Sequence, residues 1–256
     1  DREAQIEYAR RYVFGIDFDE KSAKIARALM LIAGDGKSHI LKLNSLDTRE
    51  WQGEESEKVR ARAELQYLTE DSDFHNLKFD CLLTNPPFAG EIKDQVLLRS
   101  YDLGKNLKGK LQNKVERHIL FIERCLQMLK PGGRMAIVLP QGVLNNTQMQ
   151  YIRQYLFDKA QLLAVVGLHG NTFKPHTGTK TSVLFLRKWK EDEEPLKDYP
   201  IFLAVSQKSG KDNSGDLVYK KDENGDYIRD SRGHKLIDDD LDQIADEFIK
   251  FSKENN

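Results

Sequence analysis

The pentapeptide at residues 84–88, Thr-Asn-Pro-Pro-Phe, follows an apolar run at residues 79–83 that has the composition of a buried strand. Two consecutive prolines cannot continue a central strand, because each lacks the amide hydrogen that the strand ladder needs. The chain must therefore turn here. The carboxyl end of a parallel strand faces the crevice where α/β proteins bind ligands. The turn would present an amide, two proline-fixed carbonyls and an aromatic ring together.

These groups suit chemistry on the exocyclic amino group of adenine, a poor nucleophile whose lone pair is delocalised into the ring. The Asn85 side-chain oxygen and the Pro86 carbonyl could accept its two hydrogens, which would leave the nitrogen lone pair to attack a methyl sulfonium. Pro87 contributes the second fixed carbonyl, and Phe88 could stack on a base flipped out of a duplex. The alternative is a merely rigid turn that Phe88 anchors to the core.

A second candidate site follows the apolar run at residues 12–16. Asp17 stands at the end of that run, just before a helical pattern, where a carboxylate is positioned to accept hydrogen bonds from both hydroxyls of a nucleoside ribose. The alternative interpretation is helix capping, which suits Asp19 better than Asp17.

Alternation of short apolar runs with helical patterns predicts an α/β fold, with a parallel sheet covered by helices. The first five runs are spaced widely enough for crossover connections. Strands are predicted at residues 12–16, 39–43, 79–83, 134–139, 162–166 and 182–186, and helices at 22–33, 115–129, 151–159 and about 241–251. Residues 50–76 and 90–113 have the composition of loops or insertions, with room for a short helix in the first.

Composition limits the classes of partner. The 256 residues carry a net charge of -1, so any affinity for nucleic acid must come from local patches or from partner chains. Residues 99–117 hold six basic and two acidic side chains, which fits a phosphate-contacting loop and a solvated loop equally well. Cys81, Cys125 and the scattered histidines predict neither a disulfide framework nor a metal site. We expect a cytoplasmic protein without a membrane span.

With these motifs the chain resembles the N6-adenine DNA methyltransferases, most closely the modification subunits of type I restriction-modification systems. The resemblance covers roughly residues 5–190. It implies a Rossmann-like sheet, with helices on both faces, that uses S-adenosyl-L-methionine. The family's target-base tetrapeptide maps onto Asn85, Pro86, Pro87 and Phe88.

The resemblance also implies a set of cofactor contacts. Asp17 would bind the ribose of S-adenosyl-L-methionine, and Phe18 would lie beside its adenine ring. Asn44, followed by Ser45, stands where the family usually has an aspartate that contacts the adenine, and its amide still offers an acceptor.

A further segment that resembles the family is Leu-His-Gly-Asn-Thr-Phe at residues 168–173, with Thr-Gly-Thr-Lys-Thr at 177–181. In the family this loop lies near the target base. For His169 itself an ordinary connector is an equal alternative.

The chain departs from the family at its start, where no strand and glycine-rich loop precede Tyr12. We therefore expect residues 1–190 to be a catalytic domain without its first strand, and residues 191–256 to be a charged, peripheral extension. No internal repeat is predicted in the chain. We expect this chain alone to bind S-adenosyl-L-methionine poorly and to show no methylation. By resemblance, the partners are DNA, a specificity subunit and a restriction subunit.

Two other functions remain open from the sequence. Methyltransferases of RNA adenine or of protein glutamine use a similar Asn-Pro-Pro-aromatic turn. A non-catalytic module for DNA binding or assembly could keep the fold without a working cofactor site.

Overall fold

The computed structural model describes residues 2–34, 39–69 and 77–255 of the chain. Their contacts group them into two compact units, Asp1–Lys78 and Phe79–Asn256. Among the described residues, no helix is both long enough and apolar enough to cross a membrane.

The first unit is built on two parallel strands. Its elements are α1 (Arg2–Tyr12), β1 (Phe14–Asp17), α2 (Glu20–Ala33), β2 (His39–Lys42), a 3-10 helix (Thr48–Gln52) and α3 (Ser56–Thr69). Asp17 pairs with Lys42, so both strands end at the same edge. The buried His39 ties two helices to this sheet, because its Nδ1 lies 2.7 Å from Glu64 Oε1 and its Nε2 lies 2.5 Å from the Arg10 carbonyl oxygen.

Helix α2 ends where the sequence predicts and begins two residues earlier. The Asp19 carboxylate accepts hydrogen bonds from the amide and the hydroxyl of Ser22, and these bonds hold the pKa of Asp19 below its ordinary value. Gly34 ends the helix in the left-handed conformation, with φ of 97°, which glycine adopts without steric cost. Ile25 and Ile32, on the apolar face of the helix, are exposed.

The second unit contains a five-stranded mixed sheet. Its elements are β3 (Phe79–Thr84), β4 (Glu91–Ile92), α4 (Gln95–Arg99), β5 (Val115–Glu116), α5 (Arg117–Met128), β6 (Leu129–Pro140), α6 (Gly142–Asn145), a 3-10 helix (Thr147–Met149), α7 (Gln150–Lys159), β7 (Ala160–Gly167), β8 (Thr181–Lys188), β9 (Phe202–Val205) and α8 (Leu241–Glu254). The strand order is β3-β6-β8-β7-β9. β3 is parallel to β6 and β7 to β9, whereas β8 is antiparallel to both of its neighbours. The expected parallel sheet is therefore mixed, because no crossover helix separates β7 from β8.

Helices cover both faces of this sheet. Leu184 and Leu186 of β8 line a small apolar cavity together with Leu156 of α7. Phe185, between them in sequence, stacks on Phe248 of α8 with ring centroids 6.2 Å apart. Since successive side chains of a strand point to opposite faces, α7 and α8 lie on opposite sides of the sheet. This agrees with the fold class that the sequence predicts.

All six predicted strands form, with ends that differ by a few residues from those predicted. The two stretches expected to be loops are more ordered than their composition indicates. Residues 50–76 contain the fourteen-residue helix α3, although residues 70–76 lie outside the described part of the chain. In residues 90–113, helix α4 follows β4, which pairs with β5.

The segment after Trp189, predicted to be a peripheral extension, contributes β9 to the sheet, and α8 packs against β9. Between these two elements, three turns of one design begin at Asp212, Asp222 and Asp230. In each, the aspartate side chain accepts backbone amide hydrogen bonds, and a glycine three residues later has a φ between 85° and 96°. The repeated Asp-x-x-Gly pattern is an internal repeat, so the expectation of none was wrong.

Candidate functional site

Two candidate segments leave the sheet of the second unit at the same edge. Thr84 is the last residue of β3 and pairs with Ile137 in the C-terminal part of the parallel strand β6. Pro140, the last residue of β6, pairs with Thr181, the first residue of β8. The turn at residues 85–88 therefore begins near the C-terminal end of β6, and the β7–β8 connection at 168–180 finishes near the same end.

The turn at residues 85–88 exposes its amide side chain and buries one of its two prolines. Pro86 is buried, Asn85 and Pro87 are exposed, and Phe88 is half-buried. Within the described part of the chain, no group forms a hydrogen bond with the Asn85 side-chain amide. Pro86, rather than Phe88, is therefore the most deeply buried residue of the turn. Because the Asn85 amide has no partner among the described residues, it is available to a ligand.

An aromatic contact brings the β7–β8 connection to this turn. The rings of Phe88 and Phe173 meet edge to face, with centroids 5.2 Å apart and planes at 82°. His169 organises the connection, because its carbonyl accepts from the amide and hydroxyl of Thr172 and its Nδ1 accepts from the amide of Asn171. The two segments singled out in the sequence therefore meet through Phe173.

The chain that follows the turn is held by a buried carboxylate. Glu123 of α5 accepts hydrogen bonds from the amides of Asp102 and Leu103, at 2.9 and 2.8 Å, and burial raises the pKa of Glu123. Two basic side chains in residues 99–117 are paired, since Lys114 Nζ lies 2.6 Å from Glu91 Oε1 and Lys105 Nζ lies 3.8 Å from Asp102 Oδ1. Both the phosphate-contacting and the solvated-loop interpretations of the basic segment remain open.

In the first unit, the predicted cofactor residues gather at one edge of the β1–β2 sheet. Asp17 ends β1, and its carbonyl accepts a hydrogen bond from the amide of Leu43, which immediately precedes Asn44. Phe18 is 69% exposed, an unusual position for a large aromatic ring. A carboxylate, an exposed ring and an amide thus share this edge.

Asp17 is not the cap of helix α2. Its Oδ1 accepts the amide hydrogen of Asp19 at 2.8 Å, whereas Asp19 itself caps the helix through Ser22. No donor in the described residues reaches Asp17 Oδ2. The capping alternative therefore applies to Asp19, and one carboxylate oxygen of Asp17 remains available for a hydroxyl.

Asn44 is half-buried in a local turn. Its Oδ1 accepts the amide hydrogen of Leu46 at 3.1 Å, and its carbonyl accepts from the indole of the buried Trp51 at 2.8 Å. Within the residues that the structure describes, no group binds the second lone pair of Oδ1 or the Nδ2 hydrogens, so these could bind a ligand. Ser45, also half-buried, follows in the bend.

Two features of these sites escaped the sequence analysis. The contact between Phe173 and Phe88 was not predicted. The signal that could have indicated it is the aromatic residue Phe173 within the connection between two strands. The role of Glu123 as an anchor was also missed. Among the described residues, no three His, Cys, Asp or Glu side chains are grouped so that they could hold a metal ion.

The family model described as N-6 DNA Methylase matches residues 2–256. The chain belongs to the N-6 DNA methylase family. The match covers both units and confirms the resemblance that the tetrapeptide at residues 85–88 indicates.

The chain is similar in sequence to proteins of restriction-modification systems. The methylase subunit of the type I restriction enzyme EcoEI from Escherichia coli is 33% identical over 45% of this chain and 22% of its own length. The type II restriction enzyme and methyltransferase RM.Eco57I, also from Escherichia coli, is 26% identical over 80% of this chain and 22% of its own length. The chain therefore spans about a fifth of the length of either relative.

A solved structure supports the fold. The methyltransferase subunit of a type I restriction-modification system from Streptococcus thermophilus superimposes with a TM-score of 0.55 at 21% identity, over 93% of this chain and 42% of that one. At this identity the likeness concerns the architecture.

Proposed function

We propose that this protein is part of a site-specific DNA methyltransferase that transfers a methyl group to the N6 atom of adenine, in the modification subunit of a type I restriction-modification system. The observation that carries the proposal is the turn at residues 85–88. It lies at the carboxyl end of a parallel strand, with the Asn85 amide free and the Phe88 ring half-exposed.

The chemistry follows from the acceptors at this turn. Asn85 Oδ1 and the Pro86 carbonyl accept the two hydrogens of the target amino group and orient its lone pair towards the methyl donor. Phe88 stacks on the extruded base, and Pro87 keeps the two carbonyls in place. When the amino nitrogen takes the methyl group, the methyl–sulfur bond of the donor breaks, and one N6 proton, made acidic by the positive charge on the nitrogen, passes to water. The reaction therefore requires no strong general base, and the residues of the turn bind and orient the base.

The residues at the edge of the β1–β2 sheet suit S-adenosyl-L-methionine, whose sulfonium supplies the methyl group. Asp17 Oδ2 would accept hydrogen bonds from the ribose hydroxyls, and the exposed Phe18 ring would lie against the adenine. Asn44 and Ser45 offer polar atoms to the edge of the same ring system. The free carboxylate oxygen of Asp17 is the feature that favours a ribose over a merely structural role.

The partners we propose are duplex DNA, a specificity subunit and a restriction subunit, all in the cytoplasm. The nearly neutral charge of the chain supports delegation of DNA recognition to another subunit. The EcoEI relative is itself a methylase subunit of a type I restriction enzyme. We also propose that residues 1–190 form the catalytic part and that residues 191–256 are an extension of it.

The test is a comparison of Asn85→Ala with wild type, in the longest natural chain that contains these residues and with its specificity subunit. Incorporation of labelled methyl into duplex DNA, RNA and protein is measured together with the affinity for S-adenosyl-L-methionine. We expect wild type to methylate adenine in DNA. Asn85→Ala should lose methylation and keep the affinity, because the side chain acts on the target amino group.

The matched control is Asn224→Ala, an exposed asparagine in the second C-terminal turn, which should retain full activity. Methylation of RNA or protein instead of DNA would identify one of the other substrate classes. A wild-type protein that binds DNA without any transfer would be a non-catalytic module. Undiminished transfer by Asn85→Ala would overturn the role given to the turn.

A further inference from the structure

The three C-terminal turns share two aspartate-to-amide hydrogen bonds but differ in what they contact. In the first, the Asp212 side chain accepts the amides of Ser214, Gly215 and Asp216. The second and third turns repeat this pattern, each with the aspartate accepting amides two and four residues later. Only the first turn has hydrogen bonds to the β7–β8 connection among the described residues. This asymmetry indicates a role beyond local folding.

Lys211, at the start of the first turn, holds the connection on both sides of Phe173. Its Nζ donates to the carbonyl of Thr172 at 3.1 Å and to the carbonyl of Lys174 at 2.9 Å. In the opposite direction, the side-chain amide of Asn171, in the connection, donates a hydrogen bond to the carbonyl of Lys211 at 3.3 Å. The carbonyl groups of the residues before and after Phe173 are therefore both bound by a single ammonium group.

The first turn also approaches the connection too closely for any side chain at Gly215. A Cβ atom there would lie 2.6 Å from the backbone nitrogen of Pro175, closer than real Cβ contacts occur. In the second turn, Gly225 has a similar positive φ but nothing within 4 Å of a Cβ. The glycine of the first turn is needed for close approach as well as for its backbone conformation.

The contacts continue from this turn to the proposed base site. Phe173 lies between the two held carbonyls, and its ring meets Phe88 edge to face at 5.2 Å. Phe88 in turn belongs to the turn that presents Asn85. A displacement of the first C-terminal turn would therefore alter the aromatic wall beside Asn85.

We propose that Lys211 and Gly215 are positioning residues that hold Phe173 against Phe88 and so shape the pocket for the flipped base. This inference rests on the proposed function, since it assigns a role in the same site. Lys211 and Gly215 act through Phe173 rather than on the substrate, so they should influence how the base is held and not how the cofactor binds.

The repeat supplies matched controls. Lys221 occupies the position in the second turn that Lys211 has in the first, but its Nζ lies over the Tyr227 ring, 5.2 Å from the centroid. Lys211→Met is therefore compared with Lys221→Met, and Gly215→Ala with Gly225→Ala. Both alanine variants carry the same backbone strain at positive φ, so only Gly215→Ala adds the clash with Pro175.

The experiment uses the longest natural chain with its specificity subunit and a duplex that carries 2-aminopurine at the target position. We expect Lys211→Met and Gly215→Ala to reduce the fluorescence gain on base extrusion and to raise KM for DNA by roughly ten- to a hundredfold, as displaced contact groups do. S-adenosyl-L-methionine affinity should not change. The two control variants should match wild type in all three measurements.

Amide hydrogen exchange over residues 169–177 provides a readout that needs no methyl transfer. Faster exchange in Lys211→Met but not in Lys221→Met would support the positioning role. If the two variants differ in exchange in this way but wild type methylates no DNA, the proposed function fails while the structural part of the inference stands. Equal exchange and equal KM in Lys211→Met and Lys221→Met would overturn the inference. A loss of S-adenosyl-L-methionine affinity in Lys211→Met or Gly215→Ala as large as the loss of DNA affinity would also overturn the inference.

Discussion

The ring of Phe88 meets the ring of Phe173 edge to face, with centroids 5.2 Å apart, although one residue follows β3 and the other lies between β7 and β8. Edge-to-face pairs of this geometry contribute about 0.5–1.5 kcal/mol beyond the area that they bury. The contact gives Phe88 a fixed orientation while leaving it half-exposed. A ring held in this way is suited to stack on a base.

The first prediction concerns that pair. Phe88→Ala should weaken binding of a duplex with an extruded target base by about 1–3 kcal/mol, because a stacking surface is lost, whereas Phe88→Trp should be tolerated. Titration of the duplex against each variant provides the measurement. An equal loss in both variants would mean that Phe88 is a packing residue. A double-mutant cycle with Phe173→Leu reports the coupling between the rings.

The second prediction separates two neighbouring aspartates. Asp17→Ala should weaken binding of S-adenosyl-L-methionine by about 1.5–3 kcal/mol, since a charged acceptor for the ribose hydroxyls is removed. Asp19→Ala is the control, because it removes the cap of α2 and should lower the melting temperature without a comparable effect on the ligand. Calorimetry and thermal unfolding measure the two effects. Unchanged affinity in Asp17→Ala would leave that residue with only its bond to the Asp19 amide.

The third prediction is that Asn44→Asp binds S-adenosyl-L-methionine at least as well as wild type. The substitution restores the residue usual in the resembled family and keeps an oxygen that can accept from the Leu46 amide. Ligand titration gives the affinity. The fluorescence of Trp51, whose indole donates to the Asn44 carbonyl, reports whether the local turn persists. A large loss of affinity with an intact turn would exclude Asn44 as the adenine contact.

The fourth prediction is a pH dependence of stability. Hydrogen bonds from Arg187 and from the Lys190 amide lower the pKa of Glu193 from 4.5 to about 2. Because the pKa is depressed in the folded state, this carboxylate stabilises the fold above pH 4.5, and its contribution is lost as the pH falls from 4.5 to about 2. Urea unfolding of wild type and Glu193→Gln should therefore differ at neutral pH and converge in acid.

The neighbouring Glu194 provides the control for this measurement, since it is exposed and no basic side chain in the described part of the chain pairs with it. Glu194→Gln should follow wild type across the whole pH range. A constant difference between wild type and Glu193→Gln at every pH would show that the ion pair with Arg187 does not titrate as proposed.

The sequence by itself located six of the strands and four of the helices, and it suggested the chemistry that the strand ends could carry. Apolar runs located the six strands, because strands are short and end where hydrophobic residues give way to turn residues. Two consecutive prolines located the turn at residues 85–88, since neither can donate to a strand ladder. Asp19 and Gly34 marked the ends of α2 through capping and positive φ. The family followed from these same residues.

Only the tertiary structure decided which distant segments meet. The order β3-β6-β8-β7-β9 brings the β7–β8 connection beside the turn after β3, and it brings the segment after β9 beside that connection. No local period encodes the contact of Phe173 with Phe88 or of Lys211 with the Thr172 carbonyl. Such contacts depend on strand order and direction, which side-chain patterns within one element do not specify. The three C-terminal turns, each with the sequence Asp-x-x-Gly, differ in their tertiary contacts for the same reason.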